Sequence, residues 1–420
     1  MGKIDMTGLR KFGAKELGPL YCSLSANFKG NKDLVLFGGG AGGMHSGIAN
    51  RLVICQLKDG LLPEGTLVNQ QVGEELPTRM TLHPDGSLVC IFSNAPRVFE
   101  IQTKKEAKKE KEEKESEEDK EEEEEAETIT GLVEVAEKSA KLKDFKEQKC
   151  CEFSKDGTML AFGSEEGHVK VVSWPAMKTL WDCAPVPSER GNKIDKDKPG
   201  HTKAVTDILW SPEDAFLLTI SSERAGPNTG AIMWGVEREG ESVSLKLAGY
   251  LWDTLGAAKW TGSFRGGSFS SSKEGLVVVG FNNNGLMKGP DSFLCKFDVA
   301  SLKCKEYGTC TKDGKITSLA LSPDHRTITS GTSEGEALVH STESLKNVLK
   351  FSHLVFTTSV CYSLDGSTAV STSADGSARC ISIPANLKTR STMALLLHLI
   401  VAILVLLAAA YYQQVVLKNA

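Results

Sequence analysis

Six times along the chain, a short apolar segment breaks at a polar turn and resumes as an alternation of apolar and polar residues. The copies read LHPDGSLVCIF from Leu82, FSKDGTMLAFG from Phe153, WSPEDAFLLTI from Trp210, SSSKEGLVVVG from Ser270, LSPDHRTITSG from Leu321 and YSLDGSTAVST from Tyr362. An acid with Gly or Pro supplies a hairpin turn, and β-branched residues in alternation mark half-buried strands. A second polar turn and another strand follow, as in SEEGHVKVVSW and SADGSARCISI. The last two copies, at Leu321 and Tyr362, start 41 residues apart. A unit of about 40 to 45 residues made of several strands is the period of a β-propeller blade.

With an N-terminal unit added, the pattern predicts an all-β, seven-bladed propeller over residues 1–387; six and eight blades are the alternatives. A Trp-Asp dipeptide is missing at most of the expected places, with Trp174 and Trp234 only loosely in register. The expected fold is therefore a divergent, WD-repeat-like propeller. Two polar tracts interrupt it. Residues 104–145 open with KKEAKKEKEEKESEEDKEEEEEAE, a charged insertion expected after the second blade, solvated or transiently helical through Glu–Lys pairs. Residues 188–203 read as a surface loop between blades three and four.

The C-terminal pattern is of another kind. MALLLHLIVAILVLLAAAYY, residues 393–412, carries no formal charge over twenty residues. As a helix it would reach about 30 Å, the hydrocarbon thickness of a bilayer. Tyr411 and Tyr412 fall where an aromatic belt is expected, and residues 388–392 form a basic juxtamembrane linker with Lys388 and Arg390. The N-terminal MGKIDMTGLRKFG has no apolar core of a signal peptide. The expectation is a cytosolic propeller on a single transmembrane helix, with residues 413–420 as a short lumenal tail. The modest, Leu- and Ala-rich span leans toward a thin membrane such as the endoplasmic reticulum.

Charge and cysteine content add restraint. The net charge is −5, but residues 104–127 hold fourteen acids and seven lysines, a net of −7, so the remainder is +2. That balance gives no electrostatic footprint for nucleic acid. Eleven cysteines form no C-x-x-C, and most sit inside apolar runs, the usage of buried reduced thiols. Cys150 and Cys151 are adjacent but would face opposite sides of a strand. The eight histidines are dispersed, and G-x-S-x-G, G-x-x-x-x-G-K-[ST] and H-E-x-x-H are all missing. The sequence reads as a chain without covalent chemistry of its own.

One motif invites an enzymatic reading. In LVLFGGGAGGMHSGIANRLVICQL, Leu34 to Leu57, an apolar run enters Gly38-Gly39-Gly40-Ala41-Gly42-Gly43, which satisfies G-x-G-x-x-G. A dinucleotide fold needs a helix to begin within those glycines. Gly47 and Asn50 interrupt any helix, and Arg51 to Leu57 alternates as a strand. The stretch predicts strand, long glycine loop, strand, inside the first blade. Such a loop exceeds the two to five residues of ordinary hairpins. Long loops on rigid scaffolds commonly carry function.

This run, GGGAGGMHSGIANRLVICQL, resembles the first-blade loop of the Sec-twelve guanine nucleotide exchange factors: leading glycines, a few variable residues, then Gly-Ile/Val-x-Asn and a strand. Animal relatives are known as prolactin regulatory element-binding protein and a plant branch as phosphate transporter traffic facilitator. The resemblance extends to the seven blades and the C-terminal span. It implies residence in the endoplasmic reticulum membrane and GTP loading of the Sar-type GTPase that starts COPII coat assembly. It further implies a loop that binds a potassium ion and presses on the GTPase near its nucleotide. Gly38, Gly39 and Gly40 match the leading glycines, and Gly47, Ile48 and Asn50 match the Gly-Ile-x-Asn end. Ala41 stands where a fourth glycine is usual. The implied roles are an apolar contact from Ile48, a polar contact from Asn50, and a potassium site on Gly38, Gly39, Gly40, Ala41, Ser46 and Gly47. Two alternatives stand beside this: a non-exchanging accessory protein for export of particular membrane cargo such as transporters, and a generic tail-anchored scaffold.

Overall fold

The computed structural model of the protein describes residues 8–12, 17–42, 47–105, 127–145, 147–186, 199–240, 242–252, 261–270, 275–284 and 289–385. The first strand, β1 (Leu9–Lys11), is set apart from the regular series. Blade one is β2 (Leu20–Phe28), β3 (Asn31–Gly39), β4 (Arg51–Gln56) and β5 (Val68–Gln71). Blade two is β6 (Arg79–Leu82), β7 (Ser87–Ile91), β8 (Arg97–Lys104) and β9 (Thr128–Glu134). Blade three runs from β10 (Gln148–Phe153) to β13 (Thr179–Cys183), blade four from β14 (Val205–Trp210) to β17 (Ser242–Tyr250), and blade five from β18 (Gly262–Phe269) to β21 (Cys304–Thr311). Blade six runs from β22 (Ile316–Leu321) to β25 (Asn347–Ser352). Blade seven holds β26 (Thr357–Tyr362), β27 (Thr368–Ser373) and β28 (Ser377–Ser382), with β1 as its outer strand.

The first strand of each blade touches its counterpart in the next, and β26 returns to β2, so seven sheets close a ring. Closure is also made by pairing: β1 lies antiparallel to β28, with Leu9 opposite Arg379 and Lys11 opposite Ser377. The two ends of the propeller thus share one sheet. This is the seven-bladed, all-β architecture that the repeat predicts.

The acid-containing turns of the six copies each join the first two strands of a blade. Gly86, Gly157 and Gly366 hold the left-handed position there, with φ of +90°, +73° and +73°. Where no glycine is present, Asp214 and His325 adopt it at +52° and +59°. The core lies between sheets. Cys22, Leu36 and Ile54 of blade one pack with Leu88 and Phe99 of blade two, and Phe37 and Val53 pack with Val370 and Ala378 of blade seven. Cys150 faces the blade-four side and Cys151 the blade-two side, as strand alternation requires.

Blade four carries a buried polar network. His201 Nδ1 bonds Glu223 Oε1 at 3.0 Å, and His201 Nε2 meets Thr219 Oγ1 at 2.8 Å. Trp234 Nε1 donates to the same Thr219 hydroxyl at 2.9 Å. Burial pushes the Glu223 carboxyl up, but bonds from His201, Thr202 and Gly230 outweigh it and hold the pKa below the ordinary value. Blade seven repeats part of this: His353 bonds Ser377 and Ser371, both at 2.7 Å. Its counterpart of Trp234 is Ile381, opposite Ala369 as Trp234 is opposite Leu217.

Two expectations change. The charged tract does not separate blades two and three; it falls inside blade two, between β8 and β9. Residues 127–145, grouped with that tract from sequence, include β9 and a short helix, α1 (Ala136–Ala140). In β9 only Ile129 and Leu132 are buried, so an outer strand reads as polar sequence. Residues 106–126 lie outside the described residues, as do 187–198 of the second polar tract. The proposed span, 393–412, also lies outside them; among the described residues no helix is long and apolar enough to cross a membrane. The chain divides into two units, 1–383 and 384–420, and of the second only Pro384 and Ala385 are described.

The inner strands surround a cavity of about 1290 Å³. Arg79, at the head of β6, pairs with Asp207 of β14. The other Asp207 oxygen accepts the Gly267 N–H of β18 at 3.1 Å. One carboxylate thereby ties blades two, four and five around the cavity.

Candidate functional site

The glycine stretch is the connection between β3 and β4. Gly38 and Gly39 are the last residues of β3, registered against Cys22 and Leu20 on one side and against Leu52 and Arg51 on the other. Sterics explain why no side chain stands here. A Cβ on Gly39 would lie 2.3 Å from the Pro19 carbonyl oxygen, and one on Gly38 would lie 2.5 Å from Cys22 Sγ. Gly40 is the tightest point: its φ is +140°, and a Cβ would come 2.2 Å from Asn50 Oδ1 and 2.6 Å from Asn50 Cα. The two arms of the loop touch at their base.

Asn50 makes that contact into a clamp. It is 2% exposed. Its Oδ1 accepts the Gly42 N–H at 3.0 Å, and its Nδ2 donates to the Gly73 carbonyl at 3.1 Å. Its main-chain carbonyl accepts the Val72 N–H, and the Gly40 N–H donates to the Pro19 carbonyl, both at 2.9 Å. The polar contact expected of Asn50 toward a partner is thus spent inside the chain. The side chain joins the β3–β4 loop to the β5–β6 connection, a positioning role.

Ile48 is half-buried against Gly18, where an added Cβ would come 2.7 Å from Ile48 Cγ2. Gly47 is exposed, has φ of +69° and has nothing within 4 Å of an added Cβ. Gly42 is exposed as well. Ser46, together with Gly43, Met44 and His45, lies outside the described residues. The base of the loop is therefore packed and bonded, while Gly42, Gly47 and one flank of Ile48 face outward. Sequence reasoning missed the supports of this base, Gly18, Pro19 and Gly73. The Gly18-Pro19 pair is a turn signal, but nothing in it announces contact with residues 40–50.

A monovalent cation held by a loop needs converging oxygens, chiefly main-chain carbonyls. Gly38 and Gly39 do not fit that role, because both are paired within the sheet on two sides. Gly40, Ala41 and Gly47 lie beyond the ladder of β3 and β4. No group of three or more His, Cys, Asp or Glu suited to a metal exists among the described residues. The eleven cysteines are free, and Cys22 beneath the loop has its thiol pushed up to about 12 by burial.

Comparison with known proteins agrees with this architecture. The family described as WD domain, G-beta repeat matches residues 193–224, the entry to the blade that carries the His201–Thr219–Trp234 network. SEC12-like protein 2 of Arabidopsis thaliana is 25% identical over 342 residues, which covers 80% of this chain and 72% of that protein. SEC12-like protein 1 of the same plant is 28% identical over 94 residues, 22% of this chain and 20% of that one. The chain is a seven-bladed WD40-type propeller, similar over four fifths of its length to SEC12-like protein 2.

Proposed function

We propose that the chain is a guanine nucleotide exchange factor for a Sar-type small GTPase, anchored at the endoplasmic reticulum membrane by residues 393–412 with the propeller in the cytosol. The observation that carries the reading is the first-blade glycine loop: a base fixed by Asn50 and a rim that leaves Gly47 and a flank of Ile48 open. The relation to SEC12-like proteins over four fifths of the chain supports it. An exchange factor has only to bind the nucleotide-free GTPase better than the loaded one, so it needs a stiff projection more than a reactive group. A loop held before contact loses less conformational freedom on docking. In this reading Ile48 makes the apolar contact and Asn50 holds the loop in place. A potassium ion on the carbonyls of Gly40, Ala41 and Gly47, with Ser46, would stiffen the rim further.

The test is release of a fluorescent GDP from the GTPase of the same organism, with wild-type protein and with Ile48→Ala. Acceleration by the wild type and its loss in Ile48→Ala supports the proposal. Equal rates remove the loop from the mechanism. No acceleration by the wild type, with retained binding of a membrane transporter, favours the cargo-export alternative. Repeating the assay in lithium in place of potassium tests the ion separately.

A further inference from the structure

Three consecutive apolar side chains stand exposed at one end of the ring. Leu354, Val355 and Phe356 are 70%, 42% and 45% exposed, whereas no two of the other large exposed apolar residues among those described are neighbours in sequence. The three form the connection from β25 to β26, and their backbone is held from both sides. The Leu354 N–H donates to Asp375 Oδ2 at 2.9 Å, and Ser373 Oγ donates to the Phe356 carbonyl at 3.0 Å. A Cβ on Gly335 would come 2.5 Å from the Val355 carbonyl oxygen. What this connection offers to solvent is therefore its side chains. A contiguous exposed apolar patch marks a contact site more often than scattered apolar residues do.

The ridge shares an end of the ring with the glycine loop. β26 runs beside β2 in the same direction, with Ser359 Oγ 3.0 Å from Ser23 Oγ and Cys361 Sγ 3.4 Å from Ser25 Oγ. The β25–β26 connection enters β26 at the end where β3, antiparallel to β2, turns into β4. A line of contacts joins the two. Asp375 holds Leu354, a Cβ on the adjoining Gly376 would come 3.0 Å from the Gly18 carbonyl oxygen, and Gly18 packs against Ile48. β28 finishes at the other end, where the Ile383 N–H donates to the Ser367 carbonyl of the β26–β27 turn at 2.7 Å. The chain thus departs toward its C-terminal segment away from the ridge, which favours a protein over a lipid surface as the occupant. A stable protein contact takes about 20–30 residues a side, more than Gly42, Gly47 and one flank of Ile48 supply. We propose that Leu354, Val355 and Phe356 are a second apolar anchor for the small GTPase, adjoining Ile48, a role that rests on the exchange-factor reading of the glycine loop.

The test measures affinity of the full chain in detergent micelles for the nucleotide-free GTPase, together with release of fluorescent GDP. Leu354→Ser and Phe356→Ser should each weaken binding about tenfold and slow release to match, as truncation of an interface anchor does. Val133→Ser, exposed on the outer strand β9, should behave as wild type in both measurements. Leu354 is the most exposed of the three, so its variant should melt as wild type does; should Phe356→Ser fail to fold, Leu354→Ser alone decides. Wild-type affinity in both ridge variants, with Ile48→Ala still defective, overturns the ridge and leaves the loop reading standing. No binding and no acceleration by the wild-type chain overturns both together. A dimer in micelles that Leu354→Ser dissolves, with GTPase affinity unchanged, overturns the proposal in favour of a second copy of the chain.

Discussion

Replacing Asn50 by Ala separates a positioning residue from one that touches a partner. The substitution removes two hydrogen bonds, to the Gly42 N–H at 3.0 Å and to the Gly73 carbonyl at 3.1 Å. Gly42 and Gly73 are both exposed, so water can satisfy the released groups. The loss is then the net worth of two bonds, about 1 kcal/mol each, without the larger penalty of stranded buried groups. The main-chain bond from Val72 to Asn50 remains, so strand pairing below the loop should persist. A local cost of about 2 kcal/mol raises the open population roughly thirtyfold. Hydrogen exchange read by mass spectrometry on peptides covering residues 38–56 should therefore accelerate by about that factor at the loop base, with β10 and β14 unchanged. Asn50→Asp keeps the acceptor for Gly42 and should fall between. Unchanged protection in Asn50→Ala would refute the clamp, and a loss of GTPase binding without any change in protection would return Asn50 to direct contact.

Three further outcomes follow from the same geometry. Gly40→Ala forces a Cβ to within 2.2 Å of Asn50 Oδ1 and should open the loop base in the same exchange measurement, whereas Gly47→Ala meets nothing within 4 Å and should cost only about 1–2 kcal/mol of local left-handed strain. Thr219→Val removes the hydroxyl shared by His201 and Trp234 and leaves both buried partners unmatched, so urea unfolding should show a loss of about 2–4 kcal/mol. His340 and His353 are each pushed down to about 4 by burial. Below pH 6.5 the unfolded chain takes up protons that the native state refuses, so stability is full above that pH and is lost as pH falls toward 4, by up to about 3 kcal/mol per histidine. Melting temperatures measured down that window should fall, and His353→Gln should flatten part of the slope; a flat wild-type profile would show that both rings protonate in place.

The propeller was legible because its signals are local. Each acid-containing turn joins strands adjacent in sequence, and the turn residue at Gly86, Gly157 or Gly366 is dictated by a left-handed φ. Elements that depend on distant partners were not. β1 is three residues long and is a strand only because β28, some 370 residues later, supplies its ladder. β9 was lost in the charged tract because an outer strand buries one face only, here Ile129 and Leu132. The match to the WD domain covers residues 193–224, which hold His201 and Thr219 of the blade-four network but not Trp234. Blade four unites His201, Thr219 and Trp234, while blade seven keeps its histidine and places Ile381 where the tryptophan would be.

The glycine stretch shows the same division between local and distant causes. Its glycines are equally plain in sequence, yet they answer to different constraints. Gly38, Gly39 and Gly40 are demanded by Cys22, Pro19 and Asn50, three supports drawn from different parts of blade one and its approach. Gly47 is demanded only by its own φ of +69°. A loop whose glycines were all for flexibility would tolerate alanine at the base at the modest cost seen for φ alone. Here the first three glycines bring two arms into van der Waals contact, and Asn50 bonds them there, so the glycines stiffen the base they seem to loosen. That arrangement suits a projection that must keep its shape while pressing on another surface. It also predicts that lengthening the rim between Gly42 and Gly47 should weaken any partner contact while leaving the exchange protection of residues 38–40 intact. Loss of protection at the base from such an insertion would mean that the rim, and not Asn50, sets the loop's conformation.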